Sequence, residues 1–341
     1  MWTEPTGLLN MPHVMNVLIY FNWPVQFWNI PDSHVEILRK RFPGVSFTYA
    51  TDERTAADAA VHADVVFAAR ISSAALEYSP RLRWVQSSAS SVSTLPLSDL
   101  AARGIVVTNT RTLQAGPIAE HVMGGILVLS RKFDRTLAAQ RDRRWMQNEM
   151  TGSATPWCIA GKAMTILGLG SIGTEVARRA HAFGIKITAV RRRLSEAKPH
   201  FVDRVLGAEQ IDEALSGCDA LVIAAPFLAS TDRLINAGRI SMLNGGALLI
   251  NVARGKIVDQ SAMISALATG HLGGAVLDVF DHEPLDASSP LWMLPNVIVT
   301  PHIASLRPDH WDDVIDLFSE NLHRFERCEP LLNTVDPKAG Y

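Results

Sequence analysis

The sequence predicts an α/β protein built on two doubly wound parallel sheets. Short apolar runs alternate with helical stretches along nearly the whole chain. One run, Met164-Thr165-Ile166-Leu167, enters Gly168-Leu169-Gly170-Ser171-Ile172-Gly173, a G-x-G-x-x-G turn that opens a helix. At 341 residues the chain is long enough to bury two cores.

Residues 1–13 read as a loose leader. In the first unit, 14–20, 45–49, 64–69, 82–86 and 105–108 are apolar runs of strand length. Residues 35–42 read as a helix behind the capping candidates Asp32 and Ser33, and 56–62 as another. The polar stretch Ser87-Ser88-Ala89-Ser90-Ser91 reads as a loop. A long helix starts near Ala115-Gly116, with Pro117 suited to its first turn, and runs past Leu129. Residues 131–146 continue as a polar, arginine-rich helix with a solvated face, and 151–161 form a loop.

The second unit starts at Lys162. Gly168 permits the tight turn, Gly170 lets backbone approach a pyrophosphate, and Gly173 lets the helix at 174–183 pack near its strand. The N–H groups at that helix start, from Ser171 and Ile172 onward, favour an anion. Residues 185–190 form the next strand, completing the context that gives a G-x-G-x-x-G its meaning as a dinucleotide site. Further strands are expected at 220–225, 247–251, 274–277 and 297–300. A last helix, 308–327, returns to the first unit. The substrate domain is thus discontinuous, 1–112 and 303–341, around a dinucleotide-binding domain at 113–302, with a cleft at the hinge.

A net charge of −2 offers no global field for nucleic acid or anionic membrane. Cys158, Cys218 and Cys328 are far apart, odd in number and without zinc spacing, so neither a disulfide framework nor a metal is expected. The apolar stretch 118–129 is interrupted by Glu120 and His121 and is too short to span a bilayer. No basic region followed by an apolar core opens the chain. The expected location is cytoplasmic.

Chemistry collects where the later strands end. Arg254 follows the strand in Asn251-Val252-Ala253-Arg254-Gly255 and suits a two-pronged hold on a carboxylate. Glu283 stands in Leu277-Asp278-Val279-Phe280-Asp281-His282-Glu283-Pro284, and His302 in Thr300-Pro301-His302-Ile303-Ala304. A histidine beside a carboxylate is a general acid/base unit. The strand at 185–190 ends in Arg191-Arg192-Arg193, with none of the acid that would accept from an NAD ribose. That cluster favours NADP(H), with Arg192 as direct phosphate ligand; NAD(H) is the alternative if the arginines are only a solvated turn.

These motifs, with Trp84-Val85-Gln86, Ala119-Glu120-His121 and Pro290-Leu291-Trp292, stand in an order and spacing that resemble the D-isomer-specific 2-hydroxyacid dehydrogenase family over nearly the whole chain. The resemblance implies a Rossmann cofactor domain inserted into a flavodoxin-like substrate domain, and a homodimer joined through the cofactor domain. It implies NADPH-dependent reduction of a small 2-oxo acid, such as glyoxylate or hydroxypyruvate, to the D-2-hydroxy acid. Arg254 binds the substrate, His302 donates the proton and Glu283 favours the protonated form of His302. Arg191 stands where relatives carry an aspartate, Asp278 contacts the nicotinamide amide, and Pro226, Val252 and Ala253 complete the cofactor set. Ser90, Ser91 and Val92 stand in the substrate loop, where Ser91 replaces a glycine and Ser93 an acid or amide. Ser91 either reshapes that loop, adds a hydroxyl donor, or is drift at a surface. Arg70, at a strand end, either reaches a second anionic group on a larger substrate or is a cleft-edge charge. Leu306 narrows or dries the cleft, and Trp292 lines a pocket or simply packs. A bulkier substrate such as phenylpyruvate is the second enzymatic reading, and a dinucleotide-sensing corepressor-like protein the reading from another class.

Overall fold

The computed structural model describes residues 14–337, so the expected leader lies outside the described residues. The chain divides into two compact units. One runs to Leu113 and resumes at Pro308; the other spans Gln114–Arg307.

The first unit carries β1 (Met15–Tyr20), α1 (Asp32–Arg41), β2 (Val45–Ala50), α2 (Glu53–Ala60), β3 (Val65–Ala68), α3 (Ser73–Leu76), β4 (Trp84–Gln86), α4 (Leu97–Ala102) and β5 (Val106–Thr108). All five strands are parallel, in the order β2-β1-β3-β4-β5. β3 is buried at every position, as expected of a parallel strand covered on both faces. α1 starts earlier than its periodicity suggests. Pro31 precedes it, and Asp32 lies inside the first turn, where its charge meets the positive helix end.

The second unit carries α5 (Ala115–Arg131), α6 (Phe133–Arg141), β6 (Ala163–Leu167), α7 (Ser171–Ala182), β7 (Lys186–Val190), β8 (Arg204–Leu206), α8 (Ile211–Leu215), β9 (Ala220–Ile223), α9 (Ala237–Ser241), β10 (Ala247–Asn251), α10 (Gln260–Ala268), β11 (Leu272–Leu277) and β12 (Val297–Val299). Its seven parallel strands run β12-β11-β10-β9-β6-β7-β8. The direction of travel reverses between β6 and β9, and in open sheets of this kind ligands bind beyond the carboxyl ends at such a switch point. The helix expected to continue past residue 131 is broken at Lys132, whose φ of 59° puts it in the left-handed region, and α6 then ends at Arg141.

The chain returns to the first unit with α11 (His310–Glu326). Trp311, Val314, Ile315, Phe318 and Leu322 recur at helical spacing and are buried with Val17, Phe67 and Trp84 of the sheet. Phe318 stacks on Phe67 with ring centres 4.3 Å apart. Among the described residues no helix is long and apolar enough to cross a membrane.

Candidate active site

The site residues expected in the second unit follow the carboxyl ends of its strands, with Ser171, Ile172 and Gly173 already in the first turn of α7. Gly168 follows β6, Arg191 follows β7, Pro226 lies beyond β9, Val252 follows β10 and Asp278 follows β11. Gly168 has a φ of +100°, and a Cβ there would lie 2.7 Å from the Ala225 backbone nitrogen. A Cβ on Gly173 would lie 1.9 Å from the Gly168 carbonyl oxygen. Both glycines are therefore demanded by close backbone approach. Gly170 is different: it is exposed, and nothing lies within 4 Å of where a Cβ would sit. It precedes α7, whose amino end has no side-chain cap, so the orphan N–H groups and the positive dipole of that end are presented there. The cradle fits a dinucleotide pyrophosphate.

At the end of β7 the three arginines divide. The Arg191 side chain is 9% exposed and turns back on its own loop. It donates to the carbonyl oxygens of Glu196 and Ala197 and pairs with the Glu196 carboxylate at 3.4 Å. Arg192 and Arg193 are exposed.

Arg254 is set by its neighbours in the chain. The buried Asn251 side chain donates to the Arg254 carbonyl oxygen at 3.0 Å and accepts from Ala253 N–H at 3.1 Å, closing the turn after β10. Gly255 then presses this turn against the segment after β11, since a Cβ would lie 1.9 Å from the Phe280 carbonyl carbon. Burial pulls the guanidinium pKa down, and the nearby Glu283 charge opposes that shift. Its Nη1 donates to the Ala253 carbonyl at 2.6 Å, and no carboxylate among the described residues is within ion-pair distance. A desolvated cation of this kind gains strongly from an arriving anion.

His302 Nδ1 donates to Glu283 Oε2 at 2.7 Å. The other carboxylate oxygen, Oε1, accepts from Phe280 N–H at 3.0 Å, so the acid is fixed at both ends. Burial pushes the Glu283 carboxyl up, but the His302 hydrogen bond and charge, the Phe280 N–H and the Arg254 charge outweigh it, and the net shift is downward. With Nδ1 committed, Nε2 is the ring position left to exchange a proton. The His302 side chain is 47% exposed, which leaves a reactant access to it.

His302 itself has a φ of 56°. A non-glycine residue pays about 1–3 kcal/mol for such a backbone. Asp278 offsets it. The carboxylate of this 2%-exposed residue accepts from Thr300 Oγ1 at 2.7 Å, Ile303 N–H at 2.9 Å and Ala304 N–H at 3.0 Å. Its carbonyl oxygen accepts from His302 N–H at 3.0 Å. Bonds of about 1 kcal/mol each, more for those to a charged acceptor, are enough to hold the turn.

In the first unit the loop after β4 is set by residues after β5. Asn109 Nδ2 donates to the Ser90 carbonyl at 2.8 Å, and Thr110 Oγ1 to the Ser88 carbonyl at 2.9 Å. The Ser91 and Ser93 hydroxyls bond each other at 3.1 Å. No residue from 87 to 93 has a positive φ, so the backbone at Ser91 needs no glycine. Val92 is buried in this unit's core. The N–H groups of Ser91 and Val92 have no acceptor among the described residues. Arg70 is exposed, its guanidinium 5.5 Å from the centre of the Trp23 ring. Trp292 is half exposed, with Nε1 donating to the Asp286 carbonyl at 2.9 Å.

Sequence reasoning singled out Arg254, Glu283 and His302 but passed over Asn251 and Gly255, which place Arg254. Both stand inside the motif that was read. A polar residue at the end of a buried strand, and a glycine next to a candidate cation, were the available signals.

The model of the D-isomer-specific 2-hydroxyacid dehydrogenase NAD-binding domain matches residues 123–304. The glyoxylate reductase of Pyrococcus furiosus is 34% identical over 267 residues, covering 76% of this chain and 77% of that one. Among solved structures, a D-isomer-specific 2-hydroxyacid dehydrogenase from Xanthobacter autotrophicus, in complex with NADPH and MES, aligns with a TM-score of 0.78 at 29% identity, covering 95% of this chain and 99% of that one. An NADPH-dependent glyoxylate/hydroxypyruvate reductase from Sinorhizobium meliloti, in complex with NADP and sulfate, aligns with a TM-score of 0.77 at 26% identity, covering 96% of this chain and 100% of that one. This chain is an oxidoreductase belonging to the D-isomer-specific 2-hydroxyacid dehydrogenase family.

Proposed function

We propose that this protein reduces a small 2-oxo acid, of the glyoxylate or hydroxypyruvate type, to the D-2-hydroxy acid with NADPH. The observation that carries the reading is the His302–Glu283 contact of 2.7 Å beside a desolvated Arg254. Relatives named glyoxylate reductase, and a structural neighbour named for NADPH-dependent glyoxylate/hydroxypyruvate reduction, support the substrate class. The second unit serves as cofactor domain and the first as substrate domain of a cytoplasmic homodimer.

Arg254 takes the substrate carboxylate through paired N–H groups and polarises the neighbouring carbonyl. The reduced nicotinamide, when bound, supplies the hydride to the carbonyl carbon. His302 gives its Nε2 proton to the carbonyl oxygen as charge develops there. Glu283 accepts from Nδ1 throughout, which fixes the orientation of the ring and leaves Nε2 as the position that exchanges the proton. The Gly168–Gly173 turn holds the pyrophosphate. Arg192 meets a 2′-phosphate, while Arg191 shapes the loop that presents it.

The test follows loss of absorbance from NADPH, and separately from NADH, with glyoxylate, hydroxypyruvate, pyruvate and phenylpyruvate. Rapid turnover of the small acids with NADPH is expected. Replacing Arg192 by Ala should raise KM for NADPH about tenfold or more and leave that for NADH within about twofold, the span of one lost charge-assisted contact. Equal effects on both cofactors would overturn the phosphate assignment. A preference for phenylpyruvate would replace the small-acid reading. No turnover of any of the four acids would overturn the reductase reading for these substrates.

A further inference from the structure

The triad and the glycine turn leave one arrangement unused. α5 lies hard against β11: a Cβ on Gly125 would lie 2.7 Å from both methyl carbons of Val276. One helical turn earlier, on the same face, is His121; two residues on, on the same side of the strand line, is Asp278. The distance between them is bridged by a single hydroxyl. His121 Nε2 lies 3.2 Å from Thr300 Oγ1, and Thr300 Oγ1 lies 2.7 Å from Asp278 Oδ1. A hydroxyl has one proton to give. Given to the carboxylate, it leaves the oxygen's lone pairs to accept from His121, which fixes the His121 tautomer with its proton on Nε2. The same carboxylate accepts the N–H groups of Ile303 and Ala304 and so shapes the backbone of His302. Ala304 is buried in one cluster with Ile118, Ala119 and Val122 of α5, so the helix supports the turn by apolar contact as well.

We propose that His121 and Thr300 are positioning residues for His302: through Asp278 they tie the left-handed turn that carries the proton donor to the rigid helix α5. The proposal deepens the functional reading above and rests on it for the role of His302. Neither residue touches a reactant. Thr300 sets the orientation of the Asp278 carboxylate, and His121 sets the rotamer of Thr300. Loss of either bond leaves the carboxylate held by the Ile303 and Ala304 N–H groups alone and loosens the turn to which they belong.

The test uses the full-length enzyme. Thr300→Val keeps the side-chain volume and removes the hydroxyl. Hydrogen exchange at the Ile303 and Ala304 amides should quicken about tenfold, and kcat for NADPH-dependent reduction of glyoxylate should fall about tenfold, the scale at which small displacements of a reacting group are felt. KM for NADPH should stay within about twofold, because the glycine turn is untouched. Thr300→Ser should restore both exchange and kcat. His121→Phe should reproduce the pattern and His121→Gln, which keeps an N–H donor at similar reach, should reverse it. The His121 pair decides the matter if Thr300→Val does not fold. Unchanged exchange at both amides in the variants, or a serine variant as slow as the valine one, would overturn the proposal. If the unaltered enzyme turns over no 2-oxo acid, the functional reading fails by itself, and the exchange measurements still decide whether the brace exists.

Discussion

Two loops that follow parallel strands are held in opposite ways. In the second unit, buried side chains seize backbone N–H groups: Asn251 takes that of Ala253, and Asp278 those of Ile303 and Ala304. The turns are thereby fixed, and the long side chains of Arg254 and His302 are the groups presented. In the first unit, Asn109 and Thr110 seize carbonyls of the serine loop instead, leaving the Ser91 and Val92 N–H groups as what that loop presents. One region offers side chains on a clamped backbone, and the other offers backbone. Substitutions should therefore be costly in the first case and mild in the second.

The largest effect is expected at the presented side chain. His302→Asn keeps an N–H donor near the Nδ1 position but removes the Nε2 proton, and kcat for reduction should drop about 10²- to 10⁴-fold. Stopped-flow or steady-state NADPH oxidation measures it, and a drop of less than tenfold would remove His302 as proton donor. Next comes the clamp. Gly255→Ala forces a methyl group onto the Phe280 carbonyl carbon, 1.9 Å away, and the backbone must shift. Displacing Arg254 by about 1 Å should cost about 10²-fold in kcat/KM. A variant with normal kinetics would show that the pressed contact does not set the arginine.

The serine loop supplies the contrast. Ser91→Gly removes the hydroxyl pair with Ser93 from a backbone that has no positive φ to relieve. KM for glyoxylate should change by less than about threefold, in line with ordinary surface substitutions. A tenfold or larger rise would break the comparison, because it would make the hydroxyl itself a substrate contact.

What could be read from the sequence follows the same division. Most strands of both sheets were legible because strands buried on both faces are unbroken apolar runs; β10, Ala247–Asn251, matches its run to the residue. The glycine turn was legible because Gly168 and Gly173 answer to steric demands that no other residue meets. α3 and α4, at Ser73–Leu76 and Leu97–Ala102, were passed over because four to six residues are too few to show a helical period. β8, Arg204–Leu206, is a short edge strand among polar neighbours and carries no such run either. Arg254, Glu283 and His302 could be named as types suited to acid/base and carboxylate chemistry. Their support could not: His121 and Thr300 are 179 residues apart, and only the folded sheet shows that they meet.

The smallest effect concerns the acid that partners His302. Glu283 has its carboxyl pKa held below the ordinary value of about 4.3. A group whose pKa is lower in the folded chain than in the unfolded one stabilises the fold above the unfolded value, and that contribution is lost as pH falls through the folded value. Glu283→Gln should therefore melt below the parent at neutral pH, and the gap should narrow as the pH falls below the ordinary carboxylate value. The side chain is 37% exposed, so solvent screening keeps the gap small. Melting curves of both proteins between about pH 3 and pH 7 measure it. A gap that widened on acidification would mean that burial, which pushes the carboxyl up, prevails over the His302 bond. The His302 bond would then not be what holds the Glu283 carboxylate in its charged form.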